Sequence, residues 1–178
     1  MNFSATLPDL AATQAFAARM AHALQAPLAI GLVGDLGAGK TALARALIQT
    51  LAPGMRVKSP TYALVESYEL PGLQLHHLDL YRIRRPDELA ELGLADLAGS
   101  DAILLIEWPD RGGDQTPALD VVATLHREAT EARTLTLSAA TLAGEAFCER
   151  LAIGQDDQAV VAETCRLVQK APLVNGFD

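Results

Sequence analysis

Cysteine is scarce in this chain. Cys148 and Cys165 are the only two, and their separation fits neither a metal-binding nor a redox pair. That argues against a disulfide framework and for buried thiols in a reducing compartment. Basic side chains are also in deficit, 14 against 22 acidic ones, for a formal net charge of −8. That balance argues against a surface built for tight, autonomous nucleic-acid binding, and the acidity reads as solubility. If RNA is involved, a partner holds it. No apolar run approaches the roughly 18 residues that a membrane-spanning helix needs. The N-terminus lacks a basic region followed by an apolar stretch and a small-residue cleavage site. A cytoplasmic protein without membrane contact is the expectation. Repeats, low-complexity runs and an interdomain linker are missing too. The 178 residues, half of them apolar, therefore predict one domain with a sizeable core.

What is present is a phosphate-binding loop. Gly34-Asp35-Leu36-Gly37-Ala38-Gly39-Lys40-Thr41 satisfies every fixed position of G-x-x-x-x-G-K-[ST]. The flanks are right as well. Leu28 to Val33 is a short apolar run that predicts a strand. Thr41 to Leu51 carries good helix formers, with Leu43, Leu47 and Leu51 at helical spacing. The glycines let successive N–H groups turn inward toward phosphate oxygens, and the following helix adds its partial positive charge. Lys40 supplies a mobile charge for the β- and γ-phosphates, and Thr41 a hydroxyl for Mg²⁺.

Around this unit, Met1 to Pro8 reads as a short lead, and Asp9 as the cap of a helix from Leu10 to about Gln25. Phe16, Met20 and Leu24 share one face of that helix. Pro53-Gly54 ends the loop helix. Ala63–Leu70 and Leu73–Tyr81 predict an antiparallel hairpin about Pro71-Gly72. Pro86 to Leu92 starts a short helix that Gly93 ends, and Leu94 to Ala98 reads as another helical turn. Ala102 to Ile106 is continuously apolar, as a strand covered on both faces would be. Asp110 to Pro117 reads as a polar loop. Ala118–His126 and Ala132–Ser138 read as strands, and Thr141 to about Leu151 as a helix capped by Thr141. Residues 152–178 predict a C-terminal extension, a helix over Asp156–Lys170 followed by a frayed tail.

A phosphate loop needs an acid at the end of a neighbouring strand to complete the Mg²⁺ shell. Glu107 ends the most apolar strand, where an unpaired carboxylate is costly, so a role at the metal or its water is the natural reason for it. Asp79 sits between Leu78 and Leu80; spacing alone leaves it divided between a catalytic role and the exposed face of an alternating strand. Ser59-Pro60-Thr61 reads by itself as a turn, although such a segment elsewhere senses the γ-phosphate through a threonine. His76 and His77, adjacent on a strand, face opposite ways and do not share one metal; at least one packs or hydrogen-bonds. Trp108 is either core or a wall of the nucleotide site. Arg82, Arg84 and Arg85 are either a solvated helix start or a contact for phosphate or a partner.

Taken in order, the phosphate loop, Lys58-Ser59-Pro60-Thr61-Tyr62, His77-Leu78-Asp79-Leu80-Tyr81-Arg82 and Leu105-Ile106-Glu107-Trp108 closely resemble the TsaE (YjeE) family, the ATPases of bacterial tRNA threonylcarbamoyladenosine synthesis. The resemblance runs from about Pro8 to about Leu151. It implies an α/β fold of the P-loop NTPase type, three-layered, with a central mixed, mainly parallel sheet flanked by helices. It implies ATP and Mg²⁺ as cofactors, with Thr41 and Glu107 on the metal. Asp79 and Thr61 belong, on this resemblance, to the catalytic centre with Lys40. Ser59 and Thr61 form a switch-like segment, and Trp108 lies near the nucleotide. Leu10 and Arg133 stand where members touch the nucleotide from the first helix region and a late strand, although Leu10 takes a place typically held by an acid. Asp110 is a further candidate contact.

The resemblance also implies partners, the TsaD and TsaB proteins, with tRNA met only through that complex. The expected activity is slow ATP hydrolysis that drives or resets the complex. A P-loop small-molecule kinase is the alternative. It would want an arginine-rich lid, and Asp110 to Pro117 holds one arginine. A GTP switch is disfavoured because Asn2 and Asn175 are the only asparagines and neither precedes lysine, so an Asn-Lys-x-Asp guanine motif is lacking.

Overall fold

The computed structural model describes residues 2–60, 62–90, 93, 97–129 and 131–153. Thr61, the end of the 86–92 helix, the first three residues of the 94–98 turn, Cys165 and the helix and tail expected over 156–178 lie outside the described residues. Seven strands, β1 (Asn2–Leu7), β2 (Leu28–Val33), β3 (Val65–Leu70), β4 (Leu73–Asp79), β5 (Ala102–Glu107), β6 (Val121–Arg127) and β7 (Arg133–Ala139), form one sheet. Its order is β1-β7-β6-β2-β5-β4-β3. The four central strands, β6, β2, β5 and β4, run parallel, and both edges are antiparallel.

Helices α1 (Leu10–Ala23), α2 (Lys40–Leu51) and α4 (residues 142–153) cover one face. Phe16, Met20, Leu43, Leu47, Ile48, Phe147 and Leu151 meet Ile30, Leu32, Ile103, Leu105, Leu125 and Leu137 there in the main core. The other face is covered over β2, β5 and β4 by α3 (Asp87–Ala90) and the loops around it. Leu78, Leu80, Ile83, Leu89, Leu104 and Ile106 pack into that second, smaller core. β5 is buried along its whole length because it lies between two parallel neighbours and two apolar layers.

Several local expectations hold. Asp9 caps α1 by accepting from the Ala12 N–H at 2.7 Å. The β3–β4 hairpin turns between Leu70 and Leu73, with Gly72 at φ 80°. Thr141 Oγ1 accepts from the Gly144 N–H at 3.2 Å and caps α4.

Others are corrected. The lead before α1 is strand β1, which pairs with β7 through Asn2↔Ser138 to Leu7↔Arg133. Phe3, Ala5 and Leu7 point to the core while Asn2, Ser4 and Thr6 point out. The segment after β5 is a 3-10 helix over Pro109–Gln115, started by Pro109 and kinked at Gly113. α1 ends at Ala23, two residues early, where Leu24 turns extended ahead of Pro27. β4 stops at Asp79, two residues short of Tyr81, with the Leu80 N–H donating to the Glu107 carbonyl at 3.0 Å as the last bond to β5.

Candidate active site

β2 and α2 are joined by the phosphate loop, and its backbone is the glycine conformation that the motif requires. Gly34, Gly37 and Gly39 have φ of 143°, 82° and 111°. At Gly34 a Cβ would lie 2.3 Å from the Leu125 carbonyl oxygen, so any side chain there collides with β6. Gly39 is the N-cap of α2, and Lys40 and Thr41 open the helix.

The parallel register then delivers the acids. Asp79 and Glu107 are partners at the ends of β4 and β5, and both are buried. Glu107 faces the helix side of the sheet, as Ile103 and Leu105 do. Thr41 Oγ1 donates to Glu107 Oε2 at 2.9 Å. His77, wholly buried, brings Nε2 to 2.9 Å from Glu107 Oε1. Asp79 Oδ1 accepts from the Tyr81 N–H at 3.1 Å. His76, on the opposite face, meets Ser67 Oγ through Nδ1 at 2.8 Å, so the two histidines do part as strand alternation demands.

Lys40 is buried over this group. Its ammonium donates to the carbonyls of Gly34 (2.6 Å) and Asp35 (2.9 Å) and lies 3.8 Å above the Trp108 ring. Burial pulls its pKa below the ordinary lysine value, and Glu107, Asp79, Asp35 and Asp110 pull the other way. Trp108 holds a left-handed backbone at φ 56°, ψ 49°, which costs a non-glycine residue about 1–2 kcal/mol. Its N–H donates to the Leu32 carbonyl at 3.2 Å, and its ring packs on Tyr81 at 5.1 Å.

Two adjoining cavities result. The first, about 310 Å³, is lined by Leu36, Gly37, Gly39, Lys40, Thr41, Ala42, Asp79, Tyr81, Arg82, Glu107 and Trp108. The second, about 380 Å³ and mainly apolar, is lined by Asp9, Leu10, Thr13, Ala38, Gly39, Ala42, Leu125, Glu131 and Arg133. They share Gly39 and Ala42. The first has the loop, a cation and two acids; the second has the apolar walls that suit a flat heterocycle.

The residues expected at the site thus fall in three groups. Lys40, Thr41, Asp79, Glu107 and Trp108 converge with the loop. Leu10 and Arg133 line the neighbouring cavity. Asp110 and Ser59 are exposed; Asp110 reaches Lys40 only through its charge, and Ser59 lies on the segment between α2 and β3. The second cavity's Asp9, Thr13, Leu125 and Glu131 carry no sequence signal of their own, since they meet only through α1, β6 and the turn after β6.

The donor set fits Mg²⁺. Among the described residues no group of three or more His, Cys, Asp or Glu side chains forms a protein cage. Mg²⁺ is usually held by one or two protein oxygens together with substrate phosphates, and the Thr41 hydroxyl beside buried Glu107 offers that. The hydroxyl donates to Glu107 and keeps lone pairs for a cation.

The family model described as "Threonylcarbamoyl adenosine biosynthesis protein TsaE" matches residues 7–135. A tRNA threonylcarbamoyladenosine biosynthesis protein TsaE of Haemophilus influenzae is 45% identical over 94 residues, which span 53% of this chain and 60% of that protein. Its Bacillus subtilis namesake is 32% identical over 120 residues, 67% of this chain and 75% of that protein. The crystal structure of Bacillus subtilis YdiB superposes with a TM-score of 0.72 at 25% identity, covering 87% of this chain and 97% of that one. With the family model matched over most of its length, its sheet shared with a solved structure and the phosphate loop meeting two strand-end acids, this chain belongs to the TsaE family.

Proposed function

We propose that the chain is a magnesium-dependent ATPase that drives or resets the machinery installing threonylcarbamoyl on the adenosine next to the tRNA anticodon. One observation carries the nucleotide part of this reading: Lys40, Thr41, Asp79 and Glu107 converge at the foot of the phosphate loop, beside an apolar cavity of a size for a base. The family and its relatives' names support the pathway.

In this reading the loop amides and Lys40 hold the phosphates, and Leu10 and Arg133 face the base. Thr41 and Glu107 hold Mg²⁺, which when bound neutralises charge developing on the phosphates. Asp79, with Thr61, positions or polarises the attacking water. Such catalysis is positioning and electrostatics with little covalent chemistry, and the chain alone is a slow enzyme. Ser59 belongs to a switch segment that reports the γ-phosphate, and Asp110, whose charge acts on Lys40, is a further nucleotide contact. TsaD and TsaB are the partners. They carry out the transfer in the cytoplasm, and tRNA reaches this chain only through them.

The test is calorimetry with ATP and GTP, with and without Mg²⁺, followed by a pull-down of TsaD and TsaB with and without ATP. Binding of ATP in preference to GTP, loss of that binding in Lys40→Ala, and ATP-dependent capture of the two proteins are expected. Indifference to adenine nucleotides would overturn the reading. Phosphoryl transfer to a small acceptor would replace it with a kinase.

A further inference from the structure

We infer that His77 is a positioning residue for Glu107, holding that carboxylate in the orientation in which it serves Mg²⁺. The inference rests on the ATPase reading and names a residue that reading does not use. His77 lies two positions before Asp79 on β4, while Glu107 is the partner of Asp79 on β5. The two side chains are therefore diagonal neighbours on one face of the sheet, within reach of long side chains. Nε2 stands 2.9 Å from Glu107 Oε1, and the other oxygen, Oε2, takes the Thr41 hydroxyl. Both carboxylate oxygens are thus engaged, one from β4 and one from the first turn of α2.

Plain packing does not account for an imidazole here. His77 is wholly buried, and its Nδ1 has no hydrogen-bond partner among the described residues. Nε2 faces the carboxylate, and Nδ1 is left as a buried polar atom without a partner among the described residues whether or not it carries a proton. Such an atom costs stability, and a leucine or phenylalanine would avoid that cost. What the imidazole contributes in return is a single hydrogen bond aimed at Glu107. Without it, one oxygen of a buried acid is free to turn toward Lys40, whose ammonium shares the same cavity. Hydrogen bonds to metal-binding carboxylates fix their orientation, and removing them typically costs about 10–100-fold in metal affinity or activity.

The experiment measures binding of a slowly hydrolysed ATP analogue to the full chain across a magnesium titration. Three proteins are compared: wild type, His77→Phe, which keeps a ring without an N–H, and His77→Gln, whose amide can reach the place of Nε2. His77→Phe should need about tenfold more Mg²⁺ for half-effect, with metal-free nucleotide affinity changed by less than about twofold, and His77→Gln should recover most of the difference. A second measurement uses wild type alone. The imidazole ¹⁵N resonances of His77 should move when Mg²⁺ is added to the nucleotide-bound protein.

Equal magnesium dependence in all three proteins overturns the role of His77. So does an equal loss with and without the metal, which is what a merely structural role gives. If His77→Phe does not fold, unmoved ¹⁵N resonances in wild type overturn it, and moved ones with a normal His77→Gln support it. Failure of wild type to bind the nucleotide at all overturns the ATPase reading itself, and this inference with it.

Discussion

The Lys40 ammonium sits 3.8 Å above the indole ring of Trp108, while it donates hydrogen bonds to the carbonyls of Gly34 and Asp35. The lysine that a phosphate loop directs at the β- and γ-phosphates is here turned onto its own loop and an aromatic face. To meet a phosphate it must give up at least part of that arrangement. Trp108 is the only tryptophan of the chain, so its emission reports the event. Saturating ATP should change Trp108 fluorescence, and Lys40→Met should alter the starting emission and abolish the response. An emission spectrum indifferent to a nucleotide that calorimetry shows to be bound would contradict this.

Glu107→Gln keeps the size of the side chain and removes its charge. Turnover should fall by roughly 10–100-fold, while nucleotide affinity without metal stays within about threefold. Measuring kcat and Kd on the same preparation separates the two. Unchanged Mg-dependent hydrolysis would remove Glu107 from the metal site.

Leu10 lines the apolar cavity beside the phosphate loop yet is 59% exposed. A base seated there would cover it. Leu10→Ala should cost about 1 kcal/mol of binding, or about fivefold in Kd for ATP. Inorganic tripolyphosphate, which has no base, should bind the variant and wild type alike. An equal loss for both ligands would place the base elsewhere.

Gly144 packs against the start of β6. A Cβ there would lie 2.0 Å from the Asp120 carbonyl oxygen, which already accepts from the Ala140 N–H at 2.8 Å. Neither backbone can yield easily, because Asp120 also accepts from the Ala29 N–H and the Thr141 hydroxyl. Gly144→Ala should destabilise the fold by about 1–3 kcal/mol, read as a lower urea midpoint. An unchanged midpoint would refute this account of how α4 docks.

His76 is buried on the sheet face opposite Glu107, and burial pulls its pKa below the ordinary 6.5, against a smaller opposing effect of Asp101. Between the lowered value and 6.5 the unfolded chain therefore binds the proton and the folded one does not. Stability should rise with pH across that window and level off above about 6.5. Lowering the pH below 6.5 should reduce Tm, and His76→Gln should flatten that part of the profile. A profile that keeps the same slope in His76→Gln would assign it to another group.

Much of the molecule can be read along the chain. The phosphate loop, its strand and its helix follow from glycine spacing and apolar period, because those features act over a few residues. So do the Pro71-Gly72 hairpin and the Asp9 cap. Strand β1 shows how such reading fails. Its alternation of Phe3, Ala5 and Leu7 is present in the sequence, but an edge strand at a terminus is settled by its partner, and β7 lies some 130 residues away. The 3-10 helix after β5 fails for a related reason, since it starts from a left-handed backbone at Trp108, a conformation that a bulky residue does not announce in sequence.

For the site, residue types and motif spacing were enough to name Lys40, Thr41 and Glu107, since a phosphate loop requires a cation, a hydroxyl and a strand-end acid. Spacing left Asp79 divided between a catalytic role and an exposed position, and left open which of His76 and His77 packs or hydrogen-bonds. The β4–β5 register sets a buried Asp79 opposite Glu107 and brings His77 diagonally onto the same carboxylate. The second cavity belongs to packing entirely, because α1, β6 and the turn after β6 each supply a wall and none encodes the others. Local propensity selects elements one at a time, whereas which side chains share a cavity depends on strand order and register, which the long-range core enforces.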